Sequence, residues 1–292
     1  MDKRMKYRTQ LALFAIAVAS ILIVYGNLRA SNMLEIKVDI GENIVETAKK
    51  SGVPKFSTRN IAGLVSYSVN SLPADIPVSY KRPGFEGSFA PLFALTMYAD
   101  HDNKNNLAVT DLVLQFSTDL LTDHQSGQAF IERIIAQFGA KKWLRKISEF
   151  CPAVTGRSNF IEIDGTINSI EACPLDPAYK IAPAEWRTLA KSGLSYEWIG
   201  DGVIASLLVD ASEDSRGITY KISLEYMDQE IKSRHDEKNH AEKLAEGDKK
   251  GWNSTSEYNA GIIELKEEIK LLEANAIKRG DSLVPREATP KK

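Results

Sequence analysis

A charge-free run from Thr9 to Leu28, "TQLALFAIAVASILIVYGNL", constrains this chain more than any other feature. At about 1.5 Å per helical residue it reaches roughly 30 Å, the thickness of a bilayer's hydrocarbon core. Lys3, Arg4, Lys6 and Arg8 precede it and only Arg29 follows closely, which predicts that the N-terminus stays in the cytoplasm. The competing reading is a cleaved leader. "AVA" at Ala17–Ala19 resembles a cleavage site but falls inside the apolar run, and "LRA" puts bulky Leu28 where a small residue is wanted. Length favours an uncleaved anchor. Either way, the rest of the chain is expected to be exported. The expected setting is the inner (cytoplasmic) membrane of a bacterium, crossed once, with the folded part in the periplasm.

Export bears directly on the cysteines. Cys151 and Cys173 are the only two in the chain, and each is followed by proline. In an oxidising compartment such a pair is expected to form a disulfide. A zinc set would need more ligands than two cysteines 22 positions apart with no histidine near them.

Beyond the anchor the pattern predicts an α+β fold: a mixed extracytoplasmic domain with antiparallel hairpins and a meander, then a C-terminal helix. The expected division is a basic N-terminus over 1–8, the anchor over 9–28 and the domain over 33–227. A charged helix or spacer follows over 228–250, an amphipathic helix over 255–279 and a disordered tail over 280–292. "MLEIKVDI" and "NIAGLVSYSV" each read as one strand, with the short helix "ENIVETAKKSG" between them. Thr122 and Gln125 fit a capping box before a helix marked by Ile131, Ile134, Ile135 and Phe138. "KKWLRKISEF" is expected to resume that helix after Gly139, and "SNFIEID" to form another strand. "PAEWRTLAKSG" is a short helix with Pro183 in its first turn and Gly193 at its end. "LSYEWI", "VIASLLVD" and "ITYKISLEYM" then form a meander whose last strand alternates strictly from Ile218 to Tyr226.

Two regions invite a partner. Phe85 and Phe89 lie in a proline- and glycine-rich loop, where they form an exposed tip or fold back onto the core. Tyr258, Ile262, Leu265, Ile269, Leu272 and Ala276 follow a 4-3-4-3 spacing, a seam of about two and a half heptads. That seam must be covered by the domain, by a second copy or by another protein. The first of these is favoured, because a helix this short is marginal alone.

The acidic stretch "YADHDNKNNLAVTD" tests as a calcium loop from Asp100. Asp100, Asp102 and Asp111 suit positions 1, 3 and 12, but Lys104 stands where position 5 needs an oxygen, and Asn105 replaces the glycine of position 6. A turn between two strands is the better reading. His101, His124, His235 and His240 build no recognisable cluster, and His235 and His240 fall about 140° apart around a helix.

No catalytic motif, cofactor fingerprint or metal set is legible, so no catalytic residue, cofactor or metal is expected. The 292 residues carry a formal net charge of −2, which gives no attraction to nucleic acid. The favoured expectation is a membrane-anchored extracytoplasmic binding or interaction protein without enzymatic activity. It meets the membrane through its N-terminal helix, and a partner or a second copy through the C-terminal one. The alternative is an exported hydrolase of an envelope polymer that uses scattered carboxylates.

Overall fold

Alternation with period two builds most of the structure, a computed structural model that describes residues 35–53, 55–100, 107–167 and 173–286. The run Thr9–Leu28 lies outside them. Among the described residues no helix is long and apolar enough to cross a membrane.

The chain opens with β1 (Ile36–Val38) and α1 (Ile44–Lys50), whose first amides at Val45 and Glu46 donate to the Asn43 side chain. A hairpin follows, β2 (Ser57–Ile61) and β3 (Leu64–Val69), then two short strands, β4 (Val78–Tyr80) and β5 (Gly87–Phe89). β6 (Leu92–Asp100) and β7 (Val109–Phe116) lead into α2 (His124–Gly139). β8 (Leu144–Arg145), a 3₁₀ turn (Gly156–Phe160) and α3 (Pro183–Ser192) come next. The meander is β9 (Leu194–Gly200), β10 (Val203–Asp214) and β11 (Gly217–Asp228). Two long helices, α4 (Gln229–Lys249) and α5 (Ser254–Arg279), complete the described elements.

Eight strands form one antiparallel sheet in the order β2-β3-β6-β7-β11-β10-β9-β8. A small second sheet, β1-β4-β5, has β1 and β4 parallel. One face of the large sheet carries Leu112, Leu114, Tyr196, Trp198, Leu224 and Tyr226, all buried in the main core. Two aromatic stacks fasten neighbours to that face. Phe138 of α2 lies 3.9 Å from Trp198, and Tyr80 of the small sheet lies 4.1 Å from Tyr226, centroid to centroid.

The reverse face carries a smaller apolar group. Ile204, Ile231, Ile269, Leu272 and Ala276 are buried but stand apart from the main core cluster. Four of these belong to α4 and α5, which pack against each other. The end of α5 is strapped down by polar bonds: the Glu273 carboxylate accepts from the Ala153 amide at 2.9 Å and from Arg286 at 2.7 Å. Residues 281–286 continue the strap, with the Val284 amide donating to the Ala153 carbonyl at 2.8 Å.

Several expectations change in the structure. "NIAGLVSYSV" is the second half of a hairpin, not one strand: Ala62 (φ 52°) and Gly63 (φ 89°) make a left-handed turn between β2 and β3. Helix α2 is capped one residue later than expected, by Asp123, whose carboxylate accepts from the Ser126 amide at 2.6 Å. "KKWLRKISEF" does not resume the helix. Leu144 and Arg145 pair instead with Ile199 and Trp198 at the sheet edge, while Trp143 enters the core. "SNFIEID" begins as the end of the 3₁₀ turn and contributes only an isolated bridge, Ile161 to Ile167. Finally, 281–286, expected in a disordered tail, are bonded to the domain, while 287–292 lie outside the described residues.

Candidate ligand-binding groove

The polar-looking side of the large sheet is where an open space lies. Side chains on alternate positions face away from the core, and the strand register sets Gln115 opposite Ser223, Ser223 opposite Leu208, and Leu208 opposite Ser195. Phe93 extends this row on β6, where the pairing jumps from Leu92 to Ala94 in a bulge. A bulged residue is released from the ladder and can be re-aimed. Phe93 is 46% exposed and Leu208 is 39% exposed. These residues line a groove of about 600 Å³. Asn159, Phe160, Cys173, Leu175 and the end of α3 line it too.

Asn159 is the odd member. Its side chain is 2% exposed, and neither Oδ1 nor Nδ2 has a hydrogen-bond partner. Leaving a buried amide unbonded costs about 1–3 kcal/mol, and native folds rarely tolerate it without a reason. The backbone beneath it is held firmly. The Ser158 amide donates to Asp281 at 3.0 Å, and its hydroxyl accepts from Arg279 at 2.9 Å. The Gly156 amide donates to Asp176 at 2.8 Å, and the Asp176 carboxylate also stands 3.9 Å from Arg145. Arg145 donates in turn to the Val154 carbonyl at 2.8 Å, and burial lowers its pKa below the usual guanidinium value. The 3₁₀ turn is thus pinned from both sides.

The disulfide shapes the same wall. Cys151 and Cys173 are bonded, with Cα atoms 5.6 Å apart. The Leu175 amide donates to the Ser195 carbonyl at 2.8 Å, which brings the chain after Cys173 onto β9.

Tyr220, on the core face of β11 with Leu224 and Tyr226, also borders this space and belongs to a buried polar chain. Its hydroxyl accepts from Trp186 Nε1 at 3.1 Å and stands 2.9 Å from His124 Nδ1. Because an indole N–H can only donate, the tyrosine proton is left for His124 Nδ1. Burial raises the Tyr220 pKa, and burial lowers that of His124, with Arg187 adding to the effect. Both groups are thereby kept neutral near pH 7.

The other residues singled out from the sequence lie elsewhere. Phe89 is buried 6.3 Å from Phe116, and Phe85 packs edge-on against Trp143 at 5.1 Å, so the two do not form an exposed tip. Along the seam, Ile269, Leu272 and Ala276 are buried, while Ile262 and Leu265 are half-buried. The Tyr258 ring lies 4.3 Å from that of His240, tilted by 57°, across the α4–α5 pair. Asp100 ends β6 and Asp111 lies within β7 opposite Tyr98, and residues 101–106 lie outside the described set. The Asp111 carboxylate accepts from Thr110 at 2.7 Å, and burial raises its pKa. Among the described residues, no group of three or more histidine, cysteine or acidic side chains could hold a metal ion. Asn159 went unnoticed in the sequence because an asparagine inside "SNFIEID" carries no signal of its burial.

No family model, no curated protein and no solved structure matches this chain.

Proposed function

We propose that this chain is a membrane-anchored, extracytoplasmic binding protein that takes an envelope ligand into the groove and performs no chemistry on it. The single observation that carries the reading is the Asn159 amide, buried beside the groove with its donor and acceptor both unused. An asparagine that served packing alone would be better replaced by leucine of similar volume. Kept as asparagine, it offers a ligand one acceptor, Oδ1, and one donor, Nδ2, that no protein group uses. A groove of about 600 Å³ falls in the range used for small ligands, and its mix of apolar patches with a few convergent polar groups suits binding. The Cys151–Cys173 bond supports an oxidising compartment, and the run Thr9–Leu28 supports tethering there.

The test uses the full chain purified in mild detergent and dialysed against an envelope extract. Retained small molecules and peptides are then identified by mass spectrometry. Leu208→Arg places a guanidinium over the groove at a site already partly in water, so the fold should persist. The wild type should retain a ligand that the variant loses by about tenfold or more. Equal retention by both proteins would overturn the reading.

A further inference from the structure

On the reading that the groove is the binding site, we infer that it takes an uncharged, extended peptide segment, with the Asn159 side chain bonded to one of its backbone amides. A secondary amide carries one N–H and one C=O, and a carboxamide side chain offers the complementary acceptor and donor. Asn159 has neither bonded within the protein, and both are covered, so binding turns the side chain toward the groove. A ligand bearing only acceptors, such as a phosphate, would leave Oδ1 unsatisfied. A lone cation would leave Nδ2 so.

Charge points the same way. Asp210 and Lys221 are the charged side chains that line the groove, and the register sets them directly opposite each other on β10 and β11. Their charges offset locally, so the groove has no net charge to match on a ligand. Length fits as well. The groove runs from Phe93 on β6 to Ser195 on β9, which are separated by four strand spacings in the order β6-β7-β11-β10-β9. At about 4.8 Å per spacing that is roughly 19 Å, the reach of about six extended residues. Phe93 and Leu208, exposed near opposite ends of this path, suit two apolar side chains of such a segment. A sugar chain, which also carries acetamide groups, would need several bidentate polar partners for its hydroxyls. On the floor Gln115 and Asp210 are bidentate, Asp210 faces Lys221 across the strands, and Ser195 and Ser223 offer single hydroxyls.

The experiment measures binding of an end-capped, uncharged hexapeptide of alanine, valine and leucine to the full chain by calorimetry. A series of ester analogues, each with one backbone N–H replaced by oxygen, and an N-acetylglucosamine trimer are measured beside it. The capped peptide should bind, and one ester in the series should bind about fivefold to tenfold more weakly than the rest. Asn159→Leu should flatten that difference and weaken the parent peptide by about tenfold. If the esters all bind like the parent while Leu208→Arg abolishes binding, the groove stands as the site and the amide contact is wrong. Binding of the sugar trimer in place of the peptide would overturn the peptide assignment. Failure of every probe would do the same, while retention of another ligand in the extract experiment would leave the binding role intact.

Discussion

Gly127 of α2 lies so close to Tyr220 that a Cβ added there would fall 2.3 Å from Tyr220 Cζ. The tyrosine cannot easily retreat, because its hydroxyl is held by Trp186 and faces His124. Replacing a helical glycine with alanine ordinarily helps by about 0.5–1 kcal/mol. Here Gly127→Ala should instead cost about 1–3 kcal/mol, because the core is overpacked. Chemical denaturation measures it, and a stabilised variant would show that Tyr220 is free to move.

The Cys151–Cys173 bond closes a loop with a sequence separation of 22. Loop-closure entropy for that span corresponds to about 3 kcal/mol. A Cys151→Ala, Cys173→Ala double variant should lose about that much stability, read from the denaturation midpoint. Unmodified protein should resist alkylation until a reductant is added.

Leu272 is buried at the end of α5, whereas Ile263 on the same helix is 65% exposed. Leu272→Ala should cost about 2–4 kcal/mol. Ile263→Ser should change stability by no more than about 0.5 kcal/mol. If both changes were silent, the helix would not be docked on its own domain.

Glu213 accepts hydrogen bonds from Lys191 and Arg187, and these partners, Lys191 first, lower its pKa to about 2. Its ordinary value is 4.5, so the carboxylate's contribution is complete above that pH. It fades as pH falls and is gone below about 2, the folded-state value. Glu213→Gln should therefore melt lower than the parent at pH 7, and the gap should close between pH 4.5 and about 2. A gap that widened on acidification would contradict the assignment.

Much of the architecture was legible because it follows period two. The alternation from Ile218 to Tyr226 fixed which face of β11 is buried, and Pro183 and Gly193 marked the ends of α3. What stayed hidden depends on distant residues. Leu144–Arg145 became a strand because the β9 edge offered partners, overriding a local helical pattern. The 3₁₀ turn at Gly156–Phe160 is held by Asp176 and Asp281, 20 and 123 positions from the amides they accept. The seam of α5 was readable, but not which of its residues would meet α4 and which the rest of the domain. The groove was invisible, because Phe93, Asn159 and Leu208 come together only through sheet order and carry no motif.

The most direct measurement is the melting temperature of Asn159→Leu without ligand. If the buried amide is kept for a ligand, removing its unsatisfied donor and acceptor should raise stability by about 1–3 kcal/mol. For a chain of this size that is a rise of a few degrees. A fall of similar size would show that the amide supports the empty fold, and would contradict a binding role for Asn159.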